Sequence, residues 1–286
     1  MNILFVLSGG GPEGIDTLTG AMKAMKEANI IPSYYSGTSA GAIVSTYCAC
    51  NNYDTEKMEK FVRSLDNSLL DYRNFWYLRE YWLSSMMSNI KIKKLLDSTF
   101  PVDFPDNLSI WATNCRNRKK INVADYTIAG KLPTAVLASM SIRGIWDPVR
   151  LNDGDDYVDG GFRFNLPYDK SIFPNYDQVW LIVASGKPTQ YISGQTDLIK
   201  ILRQDVSWLV ESNSLKVIED SLDDPKVKVI WPFVETPDMS FDHSLINKAY
   251  EETKRQLKHI SDANDSMNSL KLCKKLIVSE VRSFRK

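Results

Sequence analysis

The stretch YYSGTSAGAI, residues 34–43, decides how this chain is read. Two tyrosines lead into Gly37-Thr38-Ser39-Ala40-Gly41, a G-x-S-x-G pattern, and the apolar run AIVSTYCAC follows at once. A strand that turns directly into a helix needs small flanking residues, and such a turn lifts a serine hydroxyl clear of the sheet. The helix starting behind it points backbone N–H groups and the positive end of its dipole at the same space. The pattern alone is short and also fits a serine in an ordinary Gly-rich turn. The strand–turn–helix setting favours Ser39 as a nucleophile held between Gly37 and Gly41.

Upstream, NILFVLS reads as a buried strand and runs into SGGGPEG, residues 8–14. Three successive glycines forfeit packing and order unless the backbone must approach something closely. Pro12 removes one backbone donor from that loop, and Glu13 sets a carboxylate beside it. Downstream, helix-length segments (GAMKAMKEANI, TAVLASM, the stretch from Thr196 to Leu222, HSLINKAYEETKRQLKHI) alternate with strand-like ones (SYYSG, LSIWATN, KKINVADY, QVWLIVAS, KVKVIWP). This alternation implies an α/β domain layered around a central, mostly parallel sheet. One domain over residues 1–260 is expected, with no internal repeat or linker.

The bulk numbers narrow the function. Thirty-five basic residues balance 35 acidic ones, so no polyanionic partner is implied and nucleic-acid binding gets no support. The four cysteines (Cys48, Cys50, Cys115 and Cys273) form no disulfide framework, and Cys48 and Cys50 read as buried small residues rather than half a metal knuckle. MNILFVL is too short for a signal peptide, and no run approaches the ~20 apolar residues that cross a bilayer. A soluble, cytoplasmic protein is expected.

A serine nucleophile needs a base. His243 and His259 are the two histidines, both in late helical sequence. Among the carboxylates, Asp159 in YVDGGFRFNLP stands where the strand DDYV reaches a tight Gly-Gly turn, although Asp-Gly-Gly by itself is common turn sequence. Ser39, Asp159 and His243 also occur in the chain order of an α/β-hydrolase triad, with His243 readable instead as part of a helix start. Residues 69–96, rich in aromatics and methionine, read as helical packing, with a cover over an acyl pocket as the functional alternative. Residues 261–286 read as a basic C-terminal helix, whose functional alternative is docking on anionic headgroups.

A Gly-rich turn after the first strand, G-x-S-x-G after the second and a late Asp-Gly-Gly together resemble the patatin-like phospholipase family. GAMKAMKEANIIPSYYSGTSAGAI is similar to its helix, second strand and nucleophile turn. AGKLPTAVLASMSIRGIWDPV with YVDGGFRFNLP is similar to its aspartate block, and FDHSLINKAYEET to a late helix of bacterial members. The resemblance implies a three-layer fold and a Ser39–Asp159 dyad without catalytic histidine, metal or cofactor. It further implies an oxyanion hole in Gly9, Gly10 and Gly11, with Gly10 and Gly11 as donors, and a phospholipid or other acyl ester as substrate; peripheral contact with an anionic membrane remains the functional alternative for the basic tail. Three departures stand out: Glu13 replaces a basic residue, Pro12 stiffens the loop, and Arg143 occupies a position where proline is frequent. Arg143 could restore the missing positive charge. Two rival functions stay open: a catalytically silent lipid- or protein-binding member, and an esterase using His243. Headgroup, acyl position and oligomeric state are not legible in the sequence.

Overall fold

Strand β1 (Ile3–Leu7) is buried along its whole length and sits in the middle of the sheet. The computed structural model describes residues 1–72, 85, 87–184, 210–221, 223–232 and 240–262. Because side chains alternate across a strand, Ile3, Phe5 and Leu7 enter one apolar cluster while Leu4 and Val6 enter a second on the opposite face. A strand with two buried faces requires a layer on each side.

The sheet order is β10-β9-β1-β2-β5-β8-β7, with β6 also paired to β5. The strands are β2 (Tyr34–Thr38), β5 (Leu108–Asn114), β6 (Lys120–Asn122), β7 (Val149–Arg150), β8 (Asp156–Asp159), β9 (Gln178–Ile182) and β10 (Val227–Ile230). The five strands from β10 to β5 run parallel, whereas β6, β7 and β8 pair antiparallel. This is the expected mostly parallel central sheet flanked by helices. Helix α1 (Gly11–Glu27) follows β1 directly, and α2 (Ala40–Cys50) follows β2 after the single residue Ser39. The remaining helices are α3 (Thr55–Arg63), α4 (Ile90–Thr99), α5 (Tyr126–Ala129), α6 (Leu132–Met140), α7 (Gly161–Phe164) and α8 (Ser244–Asp262). Cys48 is buried on α2 with its Sγ 3.5 Å from Met58 Sδ, packed as a small apolar residue.

Within the segment 69–96, read as helical, the described residues form a short antiparallel strap, β3 (Asp71–Tyr72) paired with β4 (Met87–Ser88), and α4 starts at Ile90. Residues 73–84 and 86 of that segment, 263–286 of the basic tail, and 196–209 and 222 of the helix-like stretch lie outside the described residues. Residues 210–220 are helical, and no helix among the described residues is long and apolar enough to cross a membrane.

Helix α8 closes the molecule by crossing α1 at Gly20. A Cβ on Gly20 would stand 2.2 Å from Ile246 O and 2.8 Å from Tyr250 N, so the two backbones touch there. Gly20→Ala is expected to destabilise the protein by about 1–3 kcal/mol, the usual cost of overpacking, as measured by urea unfolding.

Candidate active site

The register of the sheet assembles the site. Thr38 lies opposite Trp111, and one step further Ala112 lies opposite Asp159. Ser39, one residue beyond Thr38, therefore shares a row with Asp159 across β5. That row lies at the carboxyl ends of the parallel strands, where open α/β sheets place ligands.

Ser39 has φ 54° and ψ −119°, a left-handed conformation that a residue with a side chain rarely adopts. Holding it costs on the order of 1–3 kcal/mol and persists only under tight surrounding constraint. The constraint is visible. Ser39 N donates to Ser139 Oγ at 3.0 Å, and Ser139 Oγ donates to Trp111 O at 2.6 Å. Helix α2 presses against the end of β1 so closely that a Cβ on Gly41 would sit 2.2 Å from Leu7 O. In β2, a Cβ on Gly37 would likewise sit 2.4 Å from Gly41 O. The small residues of the motif thus permit a strand, a sharp turn and a helix to occupy one narrow space.

Asp159 is 5% exposed, and its Oδ1 accepts the Gly161 N–H at 2.6 Å. Its Oδ2 has no hydrogen-bond partner among the described residues. Burial pushes its pKa up to about 6; hydrogen bonding from Ser39 and from Gly161 opposes that rise. The Ser39 hydroxyl is thus close enough to the carboxyl to favour its charged form. The arrangement is a hydroxyl beside a carboxylate whose basicity has been raised towards neutral pH.

The glycine loop lies against Ser39, where a Cβ on Gly9 would come within 3.1 Å of Ser39 Cβ. Gly9, part of the expected oxyanion loop, holds that loop in place. Its N–H is committed to Asn165 O at 3.1 Å. The N–H groups of Gly10 and Gly11 have no partner among the described residues, and they open helix α1, where the dipole is positive. Glu13 sits in the first turn of α1 with its carboxylate folded back over Gly11, 3.2 Å from where a Cβ would stand. There it complements the dipole of its own helix. Arg143 is exposed, and its positive charge acts on the Cys115 thiol, which burial pushes up.

The structure does not bring His243 to this pair. Its Nδ1 is 2.8 Å from Asp16 Oδ1 and its Nε2 is 2.9 Å from Leu65 O. Asp16, wholly buried on α1, also accepts the Asp242 N–H at 3.1 Å; burial raises its pKa, and the His243 contact opposes that rise. His243 therefore ties the start of α8 to α1 and to the loop after α3. Three residues were missed in the sequence: Ser139, which holds the Ser39 amide, Asn165, which holds the glycine loop, and Trp146, buried beside the site. No local motif marks Ser139 or Trp146, and Asn165 is visible only as part of the Asp-Gly-Gly block.

An apolar cavity opens beside Ser39 and Gly11. Ile15 and Ile43 line it from α1 and α2, Leu69 and Leu70 from the turn before β3, and Leu95 and Leu96 from α4. The described ends of the segment read as a possible cover thus do form cavity wall.

A family model for patatin-like phospholipase matches residues 5–172, a span that holds the glycine loop, Ser39 and Asp159. The chain belongs to the patatin-like phospholipase family. Among curated proteins, this patatin-like chain is 29% identical over 179 residues to the neuropathy target esterase sws of Drosophila melanogaster, and 29% identical over 177 residues to that of Drosophila sechellia. The matches cover 59% and 58% of this chain but 12% and 11% of the fly proteins. Among solved structures, VipD from Legionella pneumophila superposes with a TM-score of 0.52 over 90% of this chain and 66% of that one, at 17% identity, which shows a shared fold. Family membership supports lipid acyl hydrolysis as the general activity.

His243→Ala is expected to leave Ser39 reactive towards a fluorophosphonate probe while lowering stability by about 1–3 kcal/mol, because Asp16 loses its partner in a buried setting. Parallel urea unfolding and probe labelling check both halves.

Proposed function

We propose that the protein is a serine-dependent lipid acyl hydrolase of phospholipase A or lysophospholipase type, working through a Ser39–Asp159 dyad. The observation that carries this reading is the buried carboxyl of Asp159, shifted to about 6, in the same row as a serine held at positive φ above an apolar cavity. As Ser39 Oγ attacks the ester carbonyl, its proton passes to Asp159. The carbonyl oxygen, becoming negative, is met by the N–H groups of Gly10 and Gly11. Collapse of the tetrahedral intermediate breaks the ester C–O bond, and the alcohol leaves with the proton returned from Asp159. Water then attacks the acyl-enzyme, giving its proton to Asp159, and the fatty acid leaves as Ser39 recovers its hydrogen. The acyl chain would lie in the cavity walled by α1, α2, α4 and the turn at Leu69 and Leu70. We take a phospholipid, presented at a membrane surface, as the substrate class, and the comparison with esterases is consistent with it.

A second reading, a silent lipid binder, is favoured by the Glu13 carboxylate over Gly11, which opposes a developing negative charge in that loop. Fluorophosphonate labelling of the wild type, Ser39→Ala and Asp159→Asn, with fatty-acid release from phospholipid vesicles, decides between them. The dyad reading expects labelling and release that vanish in Ser39→Ala and fall by roughly 10²–10⁴ in Asp159→Asn. Folded wild-type protein that neither labels nor releases fatty acid would establish the binder.

A further inference from the structure

Apart from Ser39, the side chains that line the cavity among the described residues are hydrocarbon or thioether, with one exception. The exception is Trp146, 4% exposed, whose indole Nε1–H is buried with no hydrogen-bond partner among the described residues. It stands on the cavity wall beside Met140 and Ile142. Its position is fixed by the backbone: Trp146 N donates to Ile142 O at 2.8 Å, and the strap clamps the same turn through Met87 N to Ile145 O at 2.7 Å.

A buried donor left unmade loses its hydration with nothing in return, whereas phenylalanine or leucine would line a purely hydrocarbon cavity without that loss. Native structures satisfy such groups with a protein acceptor, a water or a ligand. Water is poorly placed in this case, since a stable buried water needs two to four polar partners and the surrounding walls offer hydrocarbon. From this we infer that Trp146 is a specificity-determining residue, and that the cavity takes acyl chains carrying an oxygen acceptor, such as a hydroxyl or keto group, which receives the indole N–H. The carbon skeleton is held by the apolar walls, and the oxygen sets the chain's depth. A site built to bond a substrate oxygen discriminates against the analogue lacking it, because the protein donor is then stranded.

This inference rests on the cavity being an acyl site, so the test reads binding without turnover. Full-length Ser39→Ala and Ser39→Ala/Trp146→Phe proteins are titrated calorimetrically with dodecanoate and with a positional series of hydroxydodecanoates. One position of the hydroxyl is expected to bind at least about fivefold more tightly than dodecanoate when Trp146 is present, with that preference lost in the Phe protein. In ¹⁵N-labelled Ser39→Ala protein, which needs no change at Trp146, the same isomer should move the Trp146 indole N–H resonance downfield, and dodecanoate should not. An equal hydroxyl-to-plain affinity ratio in both proteins at every position, with no such resonance shift, overturns the inference. Absence of binding by any chain overturns it together with the acyl assignment of the cavity. Failure of hydrolysis alone, with chain binding intact, removes only the dyad reading.

Discussion

The left-handed backbone at Ser39 is the constraint on which the rest of the site depends. A strand, one residue and a helix must follow one another without a connecting loop, and that residue must project its hydroxyl over the sheet. Such a turn is not stable by itself. It is held below by the contact of Gly41 with the end of β1 and laterally by the relay from Ser39 N through Ser139 Oγ to Trp111 O. The same relay anchors β5, and β5 carries β8 in the register that delivers Asp159. Ser39 and Asp159, the proposed nucleophile and base, are therefore positioned by one set of buried contacts.

Electrostatics then divides the buried carboxylates into two roles. Asp16 and Asp159 are both buried, and burial raises the pKa of each. Asp16 meets an imidazole and a backbone amide, which use both of its oxygens in holding α8 against α1. Asp159 keeps Oδ2 uncommitted beside a hydroxyl. A carboxylate with every lone pair engaged locks structure, while one with an unpaired oxygen next to an O–H can accept a proton.

Much of this was legible in the sequence, for a physical reason. Gly37, Gly41 and the glycine loop are local demands, written where the backbone must pass close to itself, and β1 and α1 follow from apolar spacing. What was not legible comes from contacts between distant segments. The anchoring of the glycine loop, by the Gly9 N–H on Asn165 O, joins residues 156 positions apart, and no local pattern announces it. His243 matched the chain order of a triad, yet its partner is Asp16, which no motif marks. The helical reading of residues 69–96 missed the pairing of Asp71–Tyr72 with Met87–Ser88, because a contact between separated segments is not written in local spacing.

The central claim is that a raised carboxylate, not a histidine, activates Ser39. The pH dependence of the rate of Ser39 phosphonylation by a fluorophosphonate tests it most directly. In the proposed dyad Asp159 acts as the ionised base, so the rate should hold above its shifted pKa and fall as pH drops through about 6, in the wild type and in His243→Ala alike. A profile whose acid limb disappears in His243→Ala, or one that Asp159→Asn leaves unchanged, would contradict the account.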